Sequence, residues 1–357
     1  MIWLLLGALL LGLWTWRGLG GTDLSRWDLP PPPAPEHPPS PEHGEVVALL
    51  RSLLGSAAGL RGRARLRALR EAMDRLGGER EIVSRVVPVS AGRVHGEWVL
   101  PPDVDPAYRV LYLHGGAWVA GSPRSHRTMT DRLARLTGAA VLALDYRLMP
   151  EHRRGDGIED TRLAWEWLLE NGPEGPSPAQ SLLVAGDSAG GSLTLSLLAW
   201  IRDQGLRQAD AALAFSPSTD LTFASPSLRR NADSDVLLGP LFRPLLRVPR
   251  PLLWWLTWWL HRHRPCVPEV SPLRGSLAGL PPVLLQVSEQ EMLLDDARRY
   301  VARAQAAGSP VELQSWPQLV HVWQIFTPEL PEAEEAWLNV GEFLQAVGLP
   351  TREGAAT

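Results

Sequence analysis

A serine set between small residues, at the end of an apolar run, is the chemical centre of this sequence. Leu182-Leu183-Val184-Ala185 stops at Gly186-Asp187-Ser188-Ala189-Gly190-Gly191, and Leu193, Leu195, Leu197, Leu198 and Ile201 follow in a helical pattern. Strand, sharp turn and helix is the context in which G-x-S-x-G holds a nucleophilic serine. The turn is strained, so the residues two places either side of Ser188 must be small enough to pack without clashing. The hydroxyl then projects above the sheet edge at a helix N-terminus, where a developing negative charge is favoured.

Acyl transfer also needs backbone N–H groups aimed at the carbonyl oxygen as it becomes negative. His114-Gly115-Gly116-Ala117-Trp118 follows an earlier apolar strand. A Gly-Gly pair exposes successive amides with no side chain in the way, so Gly115 and Gly116, with Ala189, are the expected oxyanion donors. A general base must follow. Of nine histidines, only His261, His263 and His321 lie after Ser188. Enzymes with this serine turn run Ser, acid, His along the chain. His261 and His263 sit beside arginines in a helical insertion, whereas His321 follows the last strand and emerges where the serine points. His321 is therefore the expected base. The acid should follow the strand at Val283, in Ser288-Glu289-Gln290-Glu291-Met292-Leu293-Leu294-Asp295-Asp296, where four carboxylates compete. Asp295 and Asp296 look like first-turn residues of the next helix, which the helix dipole explains.

Five segments in order carry a family likeness: His114-Gly115-Gly116-Ala117-Trp118, Asp145-Tyr146-Arg147-Leu148-Met149-Pro150-Glu151-His152, Gly186-Asp187-Ser188-Ala189-Gly190-Gly191, Glu291-Met292-Leu293-Leu294-Asp295-Asp296 and His321-Val322-Trp323-Gln324. Over roughly residues 80–347 the chain resembles the hormone-sensitive lipase group of α/β-hydrolases, the bacterial carboxylesterases. The resemblance implies Ser188 as nucleophile, His321 as base, and Gly115, Gly116 and Ala189 as oxyanion donors. It places the acid at Glu291, where most members carry Asp and some Glu; Asp295 and Glu289 rank behind it. The usual third glycine of the oxyanion motif is Ala117 here, which keeps its N–H but bears on the width of the acyl pocket. Asp187 reads as a residue bracing the serine loop. The implied function is carboxylic ester hydrolysis through an acyl-enzyme, with no cofactor and no metal. An amide hydrolase similar to arylacetamide deacetylase, or a non-catalytic small-molecule receptor on the same fold, are the alternatives.

Apolar strands alternate with amphipathic helices from about residue 80 to 350, which reads as an α/β-hydrolase fold: a mostly parallel, doubly wound sheet whose opening pair of strands is antiparallel. The alternation breaks between Ser216 and Pro272, too long for a plain connection, so residues 220–270 read as a helical cap insertion. Helical residues 44–79, rich in arginine (Arg61, Arg63, Arg65, Arg67, Arg70), are expected to join that cap. Core segments then occupy 80–219 and 271–350, and a Pro-rich extended linker covers 21–43.

The net charge of −4 offers nothing to nucleic acid, and the single cysteine, Cys266, excludes an intramolecular disulfide. Residues 1–20 are dominated by an apolar run, Ile2 to Trp16, closed by Arg17. It lacks the leading Lys or Arg and the small-residue site of a cleaved signal peptide, so a membrane anchor is the expectation, with signal cleavage and export as the alternative. Arg17 and Arg26 after the run place the body on the cytoplasmic side. Four of 16 tryptophans fall in Pro251-Leu252-Leu253-Trp254-Trp255-Leu256-Thr257-Trp258-Trp259-Leu260. That stretch is too short to span a bilayer; its rings either line the pocket or face a membrane from the cap. The expected partner is an ester or lipid substrate.

Overall fold

The computed structural model describes residues 2–352. An eight-stranded sheet forms the centre: β1 (Arg85–Ala91), β2 (Val94–Leu100), β3 (Asp105–Leu113), β4 (Ala139–Leu144), β5 (Ser181–Asp187), β6 (Ala211–Phe215), β7 (Val283–Ser288) and β8 (Val311–Trp316). The spatial order is β1-β2-β4-β3-β5-β6-β7-β8. β2 is antiparallel to β1 and β4, and all later neighbours are parallel. The expected doubly wound sheet is therefore present.

The central strands are apolar throughout because both faces are covered. β5 shows how: Leu182 and Val184 join the core on one side, while Leu183 and Ala185 join the core on the other. The first core is closed by α5 (Arg154–Glu170), α6 (Ser188–Asp203) and α10 (Leu294–Ala306), through Trp165, Leu193 and Tyr300. The second is closed by α4 (Arg127–Thr137) and α11 (Pro331–Ala346), through Leu133, Trp337 and Phe343. Each fully buried Leu or Phe contributes on the order of 2–3 kcal/mol of transfer free energy, which fixes the frame that carries the strand ends.

The remaining helices lie at those ends. α1 (Ile2–Trp14) opens the chain, α2 (Pro41–Ser56) and α3 (Gly62–Gly78) follow, and α7 (Ser227–Arg230), α8 (Leu238–Leu246) and α9 (Arg250–His261) fill the long insertion. Of the arginine-rich α3, only Arg70 is drawn into the fold. Its guanidinium bonds the Val119 and Met149 carbonyls and pairs with Glu151 at 2.8 Å. Arg61, Arg63, Arg65 and Arg67 stay exposed. The Pro-rich segment is extended but fastened to the core. Arg298 bonds the Pro30 carbonyl, and Ser40 bonds Glu332 twice.

The spanning anchor expected from the sequence finds no support in the lengths of the described helices. Among the described residues no helix is long and apolar enough to cross a membrane. α1 ends at Trp14 and widens into a π-helical turn, Thr15–Gly20, that packs on α9. Trp14 meets Trp255 and Trp258 at ring-centroid distances of 5.4 and 5.5 Å, and Trp16 meets Trp254 at 5.5 Å. Gly20 lies so close over Trp254 that a Cβ there would overlap the indole. Trp254, Trp255 and Trp258 therefore pack on the N-terminal segment, Trp259 is exposed, and none of the four lines the pocket.

Candidate active site

Ser188 sits at the junction of β5 and α6 with φ of +50°, a left-handed conformation that a side chain adopts only under strain. Close packing enforces the small neighbours: a Cβ on Gly190 would overlap the Leu113 carbonyl of the adjacent strand. His321 follows β8 and is 4% exposed. Its Nε2 lies 2.9 Å from Ser188 Oγ. Its Nδ1 donates to Oε2 of Glu291, which is 1% exposed. Glu291 Oε1 also accepts the Ser288 N–H at 2.6 Å and the Ser216 hydroxyl at 2.9 Å. A carboxylate so satisfied is held in one orientation, which fixes the imidazole tautomer.

Burial alone would lower the His321 pKa, but the charge and hydrogen bond of Glu291 outweigh it and raise the ring above its ordinary value. Burial pushes the Glu291 carboxyl up, and the imidazole holds back part of that rise.

The other candidate acids are committed elsewhere. Asp295 accepts the Ser227 N–H at 2.8 Å and pairs with Arg230 at 3.1 Å. Asp296 accepts the Thr219 and Asp220 N–H groups at 2.8 and 2.9 Å. Glu289 Oε1 accepts the Ser315 hydroxyl. His261 ends α9 and His263 lies two residues beyond it; among the described residues the hydrogen bond to Ser188 Oγ comes from His321.

One expected oxyanion donor is corrected. The Gly115 N–H donates to Asp187 Oδ1 at 3.0 Å and is spent on bracing the loop. Gly116 (φ +114°) and Ala117 (φ +54°) take positive φ, and among the described residues their N–H groups make no bond. Ala189 supplies a first-turn N–H of α6, which has no helical acceptor. Gly116, Ala117 and Ala189 are thus the free donors beside the serine. Ala117, which stands at the third glycine position of the motif and keeps its N–H, takes the place expected of Gly115.

Asp187 does brace the loop. Its carboxylate also accepts the Tyr112 hydroxyl at 2.8 Å and faces His126 Nε2 at 3.2 Å. Burial would raise its pKa, but the neighbouring His126 and these bonds hold it below the usual carboxylate range. Tyr146 OH bonds the His114 carbonyl at 2.6 Å, and Trp118 Nε1 bonds the Ala189 carbonyl at 3.2 Å. Ser216, Tyr112 and His126 escaped the sequence reading. Only the position of Ser216, directly after a strand, offered a signal.

A cavity of about 300 Å³ opens above Ser188. Ala117, Trp118 and Ala189 line its floor, and Phe242, Leu245, Leu246, Leu253, Leu256 and Leu260 of α8 and α9 its roof. A nucleophile, a held base and free amide donors meet at the end of an apolar pocket, an arrangement able to form and break an acyl ester.

Known proteins agree. The alpha/beta hydrolase fold family matches residues 110–325. An acetyl-hydrolase of Streptomyces hygroscopicus is 38% identical over 257 residues, 72% of this chain and 81% of that protein. An esterase of Acinetobacter venetianus is 31% identical over 74% of this chain and 83% of its own length. The crystal structure of an esterase from the bacterial hormone-sensitive lipase family superposes with a TM-score of 0.74 at 34% identity, covering 87% of this chain and 99% of that one. On the sheet, the serine turn and these matches, the chain belongs to the alpha/beta hydrolase family.

Proposed function

We propose that this protein is a serine carboxylesterase of the hormone-sensitive lipase group. The observation that carries the reading is the line Glu291–His321–Ser188 ending under an apolar cavity. Relatives named acetyl-hydrolase and esterase support it. Ser188 Oγ attacks the ester carbonyl while His321 takes its proton, and Gly116, Ala117 and Ala189 donate to the oxyanion. His321 then protonates the leaving alcohol, and the acyl-enzyme forms. Water, activated by the same ring, releases the acid. A leucine-lined roof suits an alkyl acyl chain.

The test is labelling by a fluorophosphonate probe together with turnover of p-nitrophenyl esters from acetyl to palmitoyl. Ser188→Ala should abolish labelling and lower kcat by roughly 10⁴–10⁶-fold. Wild-type turnover in that variant, or no labelling of the parent chain, would reject the assignment; the second result would favour a receptor.

The N-terminal helix and the cap also support association with a lipid surface, in place of a spanning anchor. Leu9, Leu10, Leu13 and Trp16 are exposed on the N-terminal segment, as are Leu252, Leu256, Trp259 and Leu260 on α9. Leu256 and Leu260 also line the cavity, so the substrate entrance opens on this apolar face. Arg17 and Arg262 follow the two apolar segments, suited to headgroup level.

A further inference from the structure

Arg154 stacks behind the cavity-lining Trp118, and nothing in the proposed reaction explains its placement. It is the first residue of α5 and 2% exposed. Its guanidinium carbon stacks 4.2 Å from the ring of Trp118, the residue after oxyanion donor Ala117. Its Nε and Nη2 are sealed from solvent and have no acceptor. An unpaired buried cation costs several kcal/mol, and the positive end of a helix dipole adds to that cost. The carboxylates close to it in sequence are engaged elsewhere. Asp156 accepts the Arg153 N–H at 2.8 Å, and Glu151 is held by Arg70.

The surroundings point in the same direction. His261 packs edge-on to the Trp118 ring at 5.7 Å and lines the catalytic cavity beside Ser188. Burial, then the charge of Arg154, lowers its pKa to about 3, so the ring is neutral. Its Nδ1 is buried without a partner. Across Met149 and Leu260, which line both spaces, lies a groove of about 420 Å³ lined also by Arg153 and Arg262. The cavity therefore has two unlike ends. Leucines and Phe242 of α8 and α9 suit an alkyl acyl chain. At the Trp118–His261 end the Arg154 guanidinium stacks behind Trp118, one side chain removed from the cavity lining.

We propose that Arg154, with His261, forms a subsite for an oxyanion, carboxylate or phosphate, on the alcohol portion of the ester substrate. A guanidinium offers a planar pair of donors that matches either group, and the stacked indole holds that plane. The neutral imidazole supplies a further hydrogen bond without competing charge. This subsite rests on the esterase reading for its catalytic consequence but not for its binding.

Three butyrate esters separate the possibilities: ethyl butyrate, 2-butyryloxyacetate and 2-butyryloxyethyl phosphate. In the full chain, Arg154→Met should lower the ratio of kcat/KM for an anionic ester over ethyl butyrate by about tenfold or more, the scale of one lost charge-assisted hydrogen bond. Arg154→Lys should restore part of that ratio. The arm that responds more strongly identifies carboxylate or phosphate as the preferred group. Equal ratios in parent and Arg154→Met for both anionic esters would overturn the proposal. Calorimetric binding of the same esters to Ser188→Ala keeps the two readings apart. Anionic esters should bind about tenfold or more tighter than ethyl butyrate, and the added Arg154→Met change should erase that advantage. No such advantage would refute the subsite, even if the chain proves to be an active esterase. Turnover of none of the three esters by the parent chain, with the binding advantage intact, would refute the esterase reading alone.

Discussion

The floor and the roof of the cavity are built on opposite principles. At the floor, polar groups are buried and tied: Glu291 accepts three hydrogen bonds, and Asp187 holds Gly115, Tyr112 and His126 in one cluster. At the roof, α9 is apolar and half turned outward, with Trp259 63% exposed. A buried polar cluster adopts one geometry because each unmade bond costs on the order of 1–3 kcal/mol. An apolar helix face tolerates slippage, because transfer free energy follows area and has no direction. Chemistry is therefore placed where geometry is fixed, and encounter with substrate where it is not.

The comparison predicts that floor substitutions act on rate. Glu291→Gln keeps the shape of the side chain but removes the charge that orients and stabilises the imidazolium, and should lower kcat about 10⁴-fold. Asp295→Asn, which loosens the tie to Ser227 and Arg230, should change kcat only a few-fold while lowering stability. Steady-state kinetics on one p-nitrophenyl ester measures both, and a larger rate loss in Asp295→Asn would reverse the choice of acid. The pH profile sharpens the point. His321 acts as a base only when neutral, and its pKa is raised by Glu291. Activity should therefore fall on acidification with a midpoint above the ordinary histidine value. In Glu291→Gln the raising charge is gone while burial remains, so the residual activity should persist to lower pH. An unchanged midpoint in that variant would separate the acid limb from His321.

A smaller floor effect is expected at Asp187, which touches no substrate. Asp187→Asn cannot accept from Gly115, Tyr112 and His126 as before, so the turn bearing Gly116 and Ala117 should lose its position. We expect kcat to fall about tenfold to a hundredfold, less than for outright loss of an oxyanion donor, with KM for a neutral ester nearly constant. A change confined to KM would assign Asp187 to substrate binding.

The floor was also the more legible region. Ser188, His321 and Glu291 come together as the family resemblance implies, because each sits in the segment that follows a strand and parallel strands deliver such residues to one sheet edge. The strands themselves could be read because burial on both faces leaves continuous apolar runs such as Ala139 to Leu144. Gly115 misled, because the motif shows which residues expose amides but not which amide a neighbouring carboxylate captures; that depends on Asp187, distant in sequence and adjacent in space. The roof was read less well for a related reason. An apolar run specifies that it will be covered without specifying by what. Ile2 to Trp16 has the composition of a membrane segment, and its end is instead satisfied by tryptophans of α9.

The smallest effects concern that roof, where two tryptophans separate packing from lipid contact. Trp14 meets two rings of α9, whereas Trp259 makes no ring pair among the described residues and lies exposed next to the cavity-lining Leu260. An aromatic pair is worth about 0.5–1.5 kcal/mol beyond its buried area. Trp14→Ser should therefore lower Tm by several degrees. Trp259→Ser should leave stability within about 0.5 kcal/mol, since little of the ring is covered. On vesicles containing anionic lipid the order should reverse at temperatures where both variants are folded. Trp259→Ser, having lost an indole suited to the headgroup region, should co-sediment several-fold less than the parent chain. Equal sedimentation of Trp259→Ser and parent would mean that this face does not meet lipid. A fall in Tm for Trp259→Ser as large as that for Trp14→Ser would show its ring to be packed in solution, and the contrast between the two tryptophans would collapse.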